Sequence, residues 1–339
     1  MSTSVPGPEP DRQPLPVPRA SAPKPEGSGQ TSRPLSRALE RLLPFLPAAV
    51  PTAILVGIVL ALVHATGFTN FGLQFFGLHW NPPVNEWGIG VFVVGSFLTA
   101  VPALVFSMLI GVGLAVASTT YLPRFVSRWL DPFVDLLAGI PSVVYGIWAF
   151  IIVAPFFGSA IEPTLVAHVS LIPGFGPPIR PDGTGLLVSV FILTLMALPI
   201  TTLLIRDALR SVPHDLWESG LALGATRWEV VRRVAVPYAR RGIWSAAFLG
   251  FGRAFGETVA VAMVIGSATV LPSNAYDIGN TMAAQMFETL DSAIGGTGSV
   301  HFLAALSEMA LVLLTISLVV NLLGRRLIVT LYAEPVAGL

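Results

Sequence analysis

Residues Val212–Gly242 read VPHDLWESGLALGATRWEVVRRVAVPYARRG, and this stretch decides the fold. Pro213 suits a first helical position, and Asp215 complements the helix dipole there. Gly224 is placed to end that helix with a left-handed residue. Thr226 and Glu229 have capping-box spacing, so a second helix begins at once. Pro237 predicts a further break. The pattern is helix, sharp turn, helix. Leu216, Leu221 and Leu223, beside small residues, suit the groove of a partner protein. A DNA-reading helix-turn-helix is disfavoured, because apolar runs hold both ends close while such a module must reach a major groove.

The flanking sequence is that of a membrane protein. Only 11% of the 339 residues are charged, well under the roughly 25% usual in soluble domains. Six apolar stretches, at approximately 46–66, 90–117, 136–158, 185–206, 243–271 and 302–323, are each long enough to cross about 30 Å of hydrocarbon as a helix. Helices are expected because lipid leaves no partner for open backbone groups, and strand-like alternation is absent. The fold class is therefore all-α and polytopic, with six transmembrane helices. Of the 19 basic residues, 17 fall in the first tail, in alternate connections (Val212–Gly242 among them) and at the C-terminus. The positive-inside rule puts both termini in the cytoplasm.

Residues 1–36, rich in Pro, Ser and Gly, are expected to be a disordered cytoplasmic tail. The first span, 46–66, precedes a core at 88–324 that contains the elbow, 207–242, and residues 325–339 form a cytoplasmic end. Phe71, Phe75, Phe76, Trp80 and Trp87 are expected in an interfacial aromatic belt. The chain has no cysteine, which excludes disulfides and thiolate chemistry. Its five histidines are scattered, so no metal site is expected. The single lysine, Lys24, lies in the tail, whereas a P-loop needs one beside its glycine-rich turn. If ATP drives this chain, another subunit binds it.

Glu218-Ser219-Gly220, then Gly224, then Val234-Ala-Val-Pro237 resembles the EAA loop of ABC-importer permeases, with Ser219 and Gly220 in place of the usual alanines. In that family the loop supplies the coupling helix that docks on the ATPase. Three further stretches, GIPSVVYG (Gly139–Gly146), GRAFGETVAV (Gly252–Val261) and DIGNTMAAQ (Asp277–Gln285), are similar to the PstC-type permeases of phosphate-specific importers. The resemblance implies a type I ABC importer (MetI-like) permease core with an extra N-terminal helix, in the bacterial inner membrane. It also implies a second homologous permease, two ATPase subunits that use ATP and Mg, and an external phosphate-binding protein. It implies, too, that the chain itself carries no cofactor, no catalytic residue and no nucleic acid, and works by alternating access.

Arg253 and Glu257 stand four apart in the fifth apolar stretch, where a continuous helix puts them on one face. Counting from Gly242, Arg253 lies about 16 Å into the bilayer. A charge at that depth needs a partner or a water-filled path. One reading is a structural pair. The other, favoured by the resemblance, is a guanidinium that grips two oxygens of a passing phosphate, with Glu257 weakening the grip enough for release. Glu308 is a second candidate buried carboxylate, able to pair with Arg253 in one state, to bond to a neighbouring helix or to face the partner permease. Ser142, Thr258 and Thr281 are candidate neutral donors, although such residues also pack ordinarily between membrane helices. The rivals are an importer of another oxyanion such as sulfate or molybdate, and an ion-coupled carrier in which Arg253 and Glu257 relay protons.

Overall fold

The computed structural model describes residues 46–67, 73–295 and 300–333; the expected tail, 1–36, and Phe71 lie outside them. The chain divides into two compact units, Met1–Leu55 and Val56–Leu339. Helix α1 (Leu46–Thr66) is apolar on all sides. A helix of that kind belongs in lipid.

The rest of the described chain is a helical assembly. Helix α2 spans Gly90–Tyr121, α3 Arg124–Gly139, α4 Ser142–Val169 and α5 Leu186–Arg210. The elbow follows as α6 (His214–Ala222) and α7 (Arg227–Val230). Helix α8 (Val236–Phe255) leads to a short α9 (Val259–Ala262), then α10 (Met282–Ile294) and α11 (Val300–Ala333). Among the described residues five helices, α1, α2, α4, α5 and α11, are long and apolar enough to cross a membrane. The last is longer than the apolar stretch suggested, since it carries on past Arg325 to Ala333.

Two expected spans are built differently. The third divides at Ile140–Pro141, where both residues are extended. Its first part belongs to α3, whose Phe125, Trp129, Phe133 and Leu136 share one exposed face. A proline disfavours the helical conformation in the residue before it, which favours a division at this point. The fifth is a helix only as far as Phe255; residues 263–281 contain no helix or strand. Backbone bonds tie that irregular segment to the start of α5: Gly185 N donates to Val264 O (2.9 Å), Leu186 N to Asp277 O (3.0 Å) and Leu187 N to Ala275 O (3.0 Å). Non-helical backbone at membrane depth persists only when protein satisfies it in this way.

Four prolines leave a common mark, whereas Pro102, Pro132 and Pro199 lie inside ordinary α-helix. Widened turns with i→i+5 bonding occupy Ala117–Tyr121, Ala149–Val153, Phe157–Ile161 and Val231–Ala235. Each ends two residues before a proline: Pro123, Pro155, Pro163 and Pro237. A proline lacks an N–H and its ring collides with the carbonyl four residues back. One extra residue in the preceding turn relieves both problems without ending the helix at Pro155, Pro163 and Pro237, whereas α2 ends before Pro123. The break expected at Pro237 is therefore absent, and α7 runs through the widened turn into α8.

The core is a set of close helix contacts. A Cβ at Gly111 would meet the Thr201 and Thr202 hydroxyls, and one at Gly250 would meet the Thr201 methyl at 2.6 Å, so α2 and α8 both pack tightly on α5. Three aromatics of the expected belt are instead part of this interior, while Phe76 is exposed. Phe75, Trp80 and Trp87 are buried, with Trp80 edge-on to Phe92 (5.3 Å) and Trp87 stacked on Phe302 (5.7 Å). The two-residue strands β1 (Trp80–Asn81) and β2 (Glu86–Trp87) pair antiparallel and face the indoles together. Aromatic pairs add about 0.5–1.5 kcal/mol beyond burial, and packing between helix ends uses that better than the water interface does.

Gly95 approaches the Asn280 carbonyl so closely that a methyl there collides with backbone, whereas Gly113 borders open space. Gly95→Ala is expected to destabilise the purified protein by about 1–3 kcal/mol. Gly113→Ala should leave the melting temperature unchanged or slightly raised, as removal of a helix glycine predicts. Thermal unfolding in detergent checks the contrast.

Candidate functional site

Helix α8 ends at Gly256, whose N–H bonds to Gly252 O (3.1 Å), while Glu257 N reaches Ala254 O at 3.4 Å. The chain therefore leaves the helix between Arg253 and Glu257, and the shared helical face expected of that pair does not form. Among the described residues no ion pair joins them. The Arg253 side chain is exposed, and its Nε donates to the Met196 carbonyl of α5 at 3.3 Å. Met196 lies ten residues into α5 from Leu186, about 15 Å from that end, so the guanidinium sits near mid-membrane. Glu257 and Thr258 are half-buried in the break, with the Thr258 hydroxyl donating to Gly256 O (3.2 Å).

The motif GIPSVVYG comes to the same place. A Cβ at Gly146 would lie 3.0 Å from Ala260 Cα and 2.6 Å from Met263 Sδ, so α4 packs directly on α9. Arg253 is close enough for its charge to act on the buried Tyr145 phenol, whose hydroxyl donates to Leu137 O (3.0 Å). Half-buried Ser142 opens α4 one turn before Tyr145. Gly252, beside Arg253, has open space where a side chain would stand. The arrangement is an exposed cation at mid-membrane, held on a backbone carbonyl and bordered by an interrupted helix. Such breaks carry free backbone polar groups to ion sites in other transport folds.

Two expected members lie elsewhere. Thr281 is buried and caps α10, accepting from Ala284 N at 3.2 Å. Beside it, Asn280 donates to Gln285 Oε1 (2.9 Å) and to Glu288 Oε2 (2.8 Å), and Met282 N donates to Ser96 Oγ (3.0 Å). DIGNTMAAQ therefore anchors α10 against α2. Glu308 is fully buried in α11 among Ala305, Leu306 and Met309, and no ion pair connects it to Arg253. Sequence reasoning missed Tyr145 and the Met196 carbonyl. The first stood inside a quoted motif, whereas nothing in a sequence marks a main-chain acceptor.

The elbow follows its local chemistry closely. Pro213 is the N-cap of α6, one position before the expected one, and Asp215 lies in the first turn. Gly224 takes φ +85°. Thr226 and Glu229 form both halves of the capping box, Thr226 N to Glu229 Oε2 at 2.8 Å and Glu229 N to Thr226 Oγ1 at 3.3 Å. Gly220 packs against Val230, where a Cβ would come within 2.9 Å of a methyl, which closes α6 onto α7. Leu216, Leu221 and Leu223 are exposed, as are Glu218 and Ser219, with Glu218 reaching His214 at 3.2 Å.

Residues 107–329 match the model of the family described as binding-protein-dependent transport system inner membrane component. This chain belongs to that family. As an ABC-importer permease it implies an ATPase and a substrate-binding protein as partners. It is 34% identical over 272 residues to the phosphate transport system permease protein PstC of Mesorhizobium japonicum, covering 78% of this chain and 81% of that one. It is 36% identical over 280 residues to PstC 1 of Mycobacterium tuberculosis, covering 76% and 82%. Among solved structures, the inward-facing MetNI methionine ABC transporter aligns with TM-score 0.52 at 19% identity, over 74% of this chain and 99% of that chain. A bacterial ABC transporter that imports alginate aligns with TM-score 0.53 at 16% identity, over 86% and 98%. At those identities the two structures establish the permease fold alone.

The Thr226 N–H and hydroxyl hold the Glu229 carboxyl below its usual range. A depressed folded pKa stabilises the folded form above the ordinary carboxylate range, and that contribution disappears as pH falls through the lowered value. Hydrogen exchange should find the Thr226 amide protected at neutral pH and losing protection on acidification. In Glu229→Ala protection should be absent at every pH.

Proposed function

We propose that this chain is the phosphate-conducting permease of an ATP-driven importer, and that Arg253 is the cation a phosphate meets midway through the membrane. The observation that carries this reading is the state of Arg253: exposed, at mid-depth, and bonded to a carbonyl instead of a carboxylate. A cation neutralised by a permanent partner would be a packing element. One left accessible beside an interrupted helix is able to accept an anion. The names of its relatives support phosphate as that anion.

In this reading Glu257, a half-buried carboxylate two residues beyond the end of α8, limits how tightly the anion is held. A path must release what it binds. Glu257 also accepts a hydrogen bond from a protonated phosphate oxygen, which sulfate does not possess. Thr258 and Ser142 border the same space, while Thr281 and Glu308 act through packing. The arginine-rich side, with both termini, faces the cytoplasm. There Glu218, Ser219, Gly220 and the exposed leucines of α6 dock on one of two ATPase subunits that use ATP and Mg, Gly224 shapes the turn, and Pro237 joins the elbow to α8 without a break. A second homologous permease completes the path, and an external phosphate-binding protein delivers the anion. Residues 88–324 form the permease core, α1 is an addition to it, and hydrolysis belongs to the ATPases.

Phosphate uptake by proteoliposomes holding the whole complex tests this. Arg253→Ala should assemble normally and lose roughly ten- to a hundredfold of its uptake, the equivalent of a charge-assisted bond worth about 1.5–3 kcal/mol. Glu257→Gln should weaken the exclusion of sulfate. Arg253→Ala with undiminished uptake, or with no assembled complex, contradicts the proposal.

A further inference from the structure

Four charged side chains join α3 to α5 at the arginine-rich end. Arg206 Nη1 lies 2.7 Å from Asp131 Oδ1, and its Nη2 lies 3.5 Å from Asp135 Oδ1. Arg210 Nη2 lies 2.8 Å from Asp131 Oδ2. Both pairs are spaced i,i+4, so each helix presents two charges on one face. Asp131 uses both its oxygens, one for each arginine.

The energetics of this clamp are uneven. Arg210 is half-exposed, and screening makes its pair weak. The Arg206 side chain is 6% exposed, and its Nε has no hydrogen-bond partner among the described residues. A buried cation that loses its carboxylate is left uncompensated at a cost of several kcal/mol in general. While Arg206 stays buried, α3 therefore stays with α5.

The clamp also lies between two functional regions. Only Ser211, Val212 and Pro213 separate Arg210 from α6, with Ser211 N and Val212 N bonded back to Asp207 O and Leu209 O. Displacement of the elbow is thus displacement of the end of α5. At the other end, α3 stops at Gly139, and the extended Ile140–Pro141 link passes straight into Ser142. The last turn of α3 carries the Leu137 carbonyl that receives the Tyr145 hydroxyl, and Leu137 is six residues, about 9 Å, from Asp131. Tyr145 lies within reach of the Arg253 charge, and Ser142 stands one turn before it.

We propose that Asp131, Asp135, Arg206 and Arg210 make α3 a strut that carries motion of the elbow to the α4 wall of the anion path, as positioning residues for transport. The proposal rests on the reading of this chain as a phosphate permease. A rigid element with a firm attachment at each end transmits displacement without a chain of contacts through the core. The charges act through Tyr145 and Ser142 and do not touch the anion.

Phosphate uptake and ATP hydrolysis measured together, in proteoliposomes holding the full complex and its binding protein, test the strut. Asp131→Asn, which unpairs the buried Arg206, is expected to lower the phosphate moved per ATP hydrolysed by about fivefold or more, the scale of an ordinary coupling free energy, and Arg210→Gln, whose pair is the weaker, by about two- to fivefold. Arg210→Lys, which retains the charge, should restore most of the ratio. Arg210 is exposed enough that its replacement does not threaten folding, so it decides the matter if Asp131→Asn fails to assemble. An unchanged ratio in Arg210→Gln overturns the proposal. So do uptake and hydrolysis that fall together in proportion to lost complex, since the clamp would then only brace the fold. A wild-type complex that hydrolyses ATP and moves no phosphate refutes the substrate reading instead, and the same ratio is then measured with the anion it does move.

Discussion

Lipid offers no hydrogen bonds to a polypeptide backbone, and the fifth apolar stretch of this chain stops being helical at Gly256, near mid-membrane. Much else in the structure answers to that constraint. The carbonyls of Val264, Asp277 and Ala275 after the break accept from the amides of Gly185, Leu186 and Leu187 at the start of α5, and within the segment Gly279 N donates to Ile265 O. Helix α4 covers the break, with Gly146 allowing Ala260 and Met263 to approach. Thr281 and the Asn280–Gln285–Glu288 network then restart helical structure as α10. The interruption leaves one side chain, Arg253, exposed at a depth where a cation is otherwise expensive.

The same economy of backbone appears where helices continue. The widened turns before Pro155, Pro163 and Pro237 keep long helices intact through residues that would otherwise divide them. Through the last of these, α7 and α8 form one continuous lever from the elbow to Arg253. The clamp on α5 gives the elbow a second route to the same site, through α3 and Tyr145. A permease that converts nucleotide-driven motion at one face into access at mid-membrane needs connections of this kind, because the two regions share no residues.

What the sequence disclosed follows from the range of the forces involved. The elbow was legible almost residue by residue, since the capping box of Thr226 and Glu229 and the left-handed Gly224 depend only on neighbours. Apolar length found the membrane spans. It could not tell a helix from apolar irregular backbone, so the fifth span was drawn through Gly256 and the Arg253–Glu257 spacing was read as a shared face. Thr281 looked like a free donor because its role as a cap depends on where α10 begins. Trp80 and Trp87 looked interfacial because Phe302, against which both pack, is distant in sequence. Asp131 and Asp135 stood visibly four apart, yet nothing local named Arg206 as their counterion.

The central claim is that Arg253 faces an aqueous path and is not sealed between helices. Because this chain has no cysteine, Arg253→Cys places a single thiol at that position once the partner subunits are also cysteine-free. Its reaction with a charged, membrane-impermeant thiol reagent should be rapid in the assembled complex in at least one nucleotide state, and slower in the other. A thiol that stays unreactive in both states, while Leu223→Cys on the exposed elbow of the same complex is labelled, would contradict the claim.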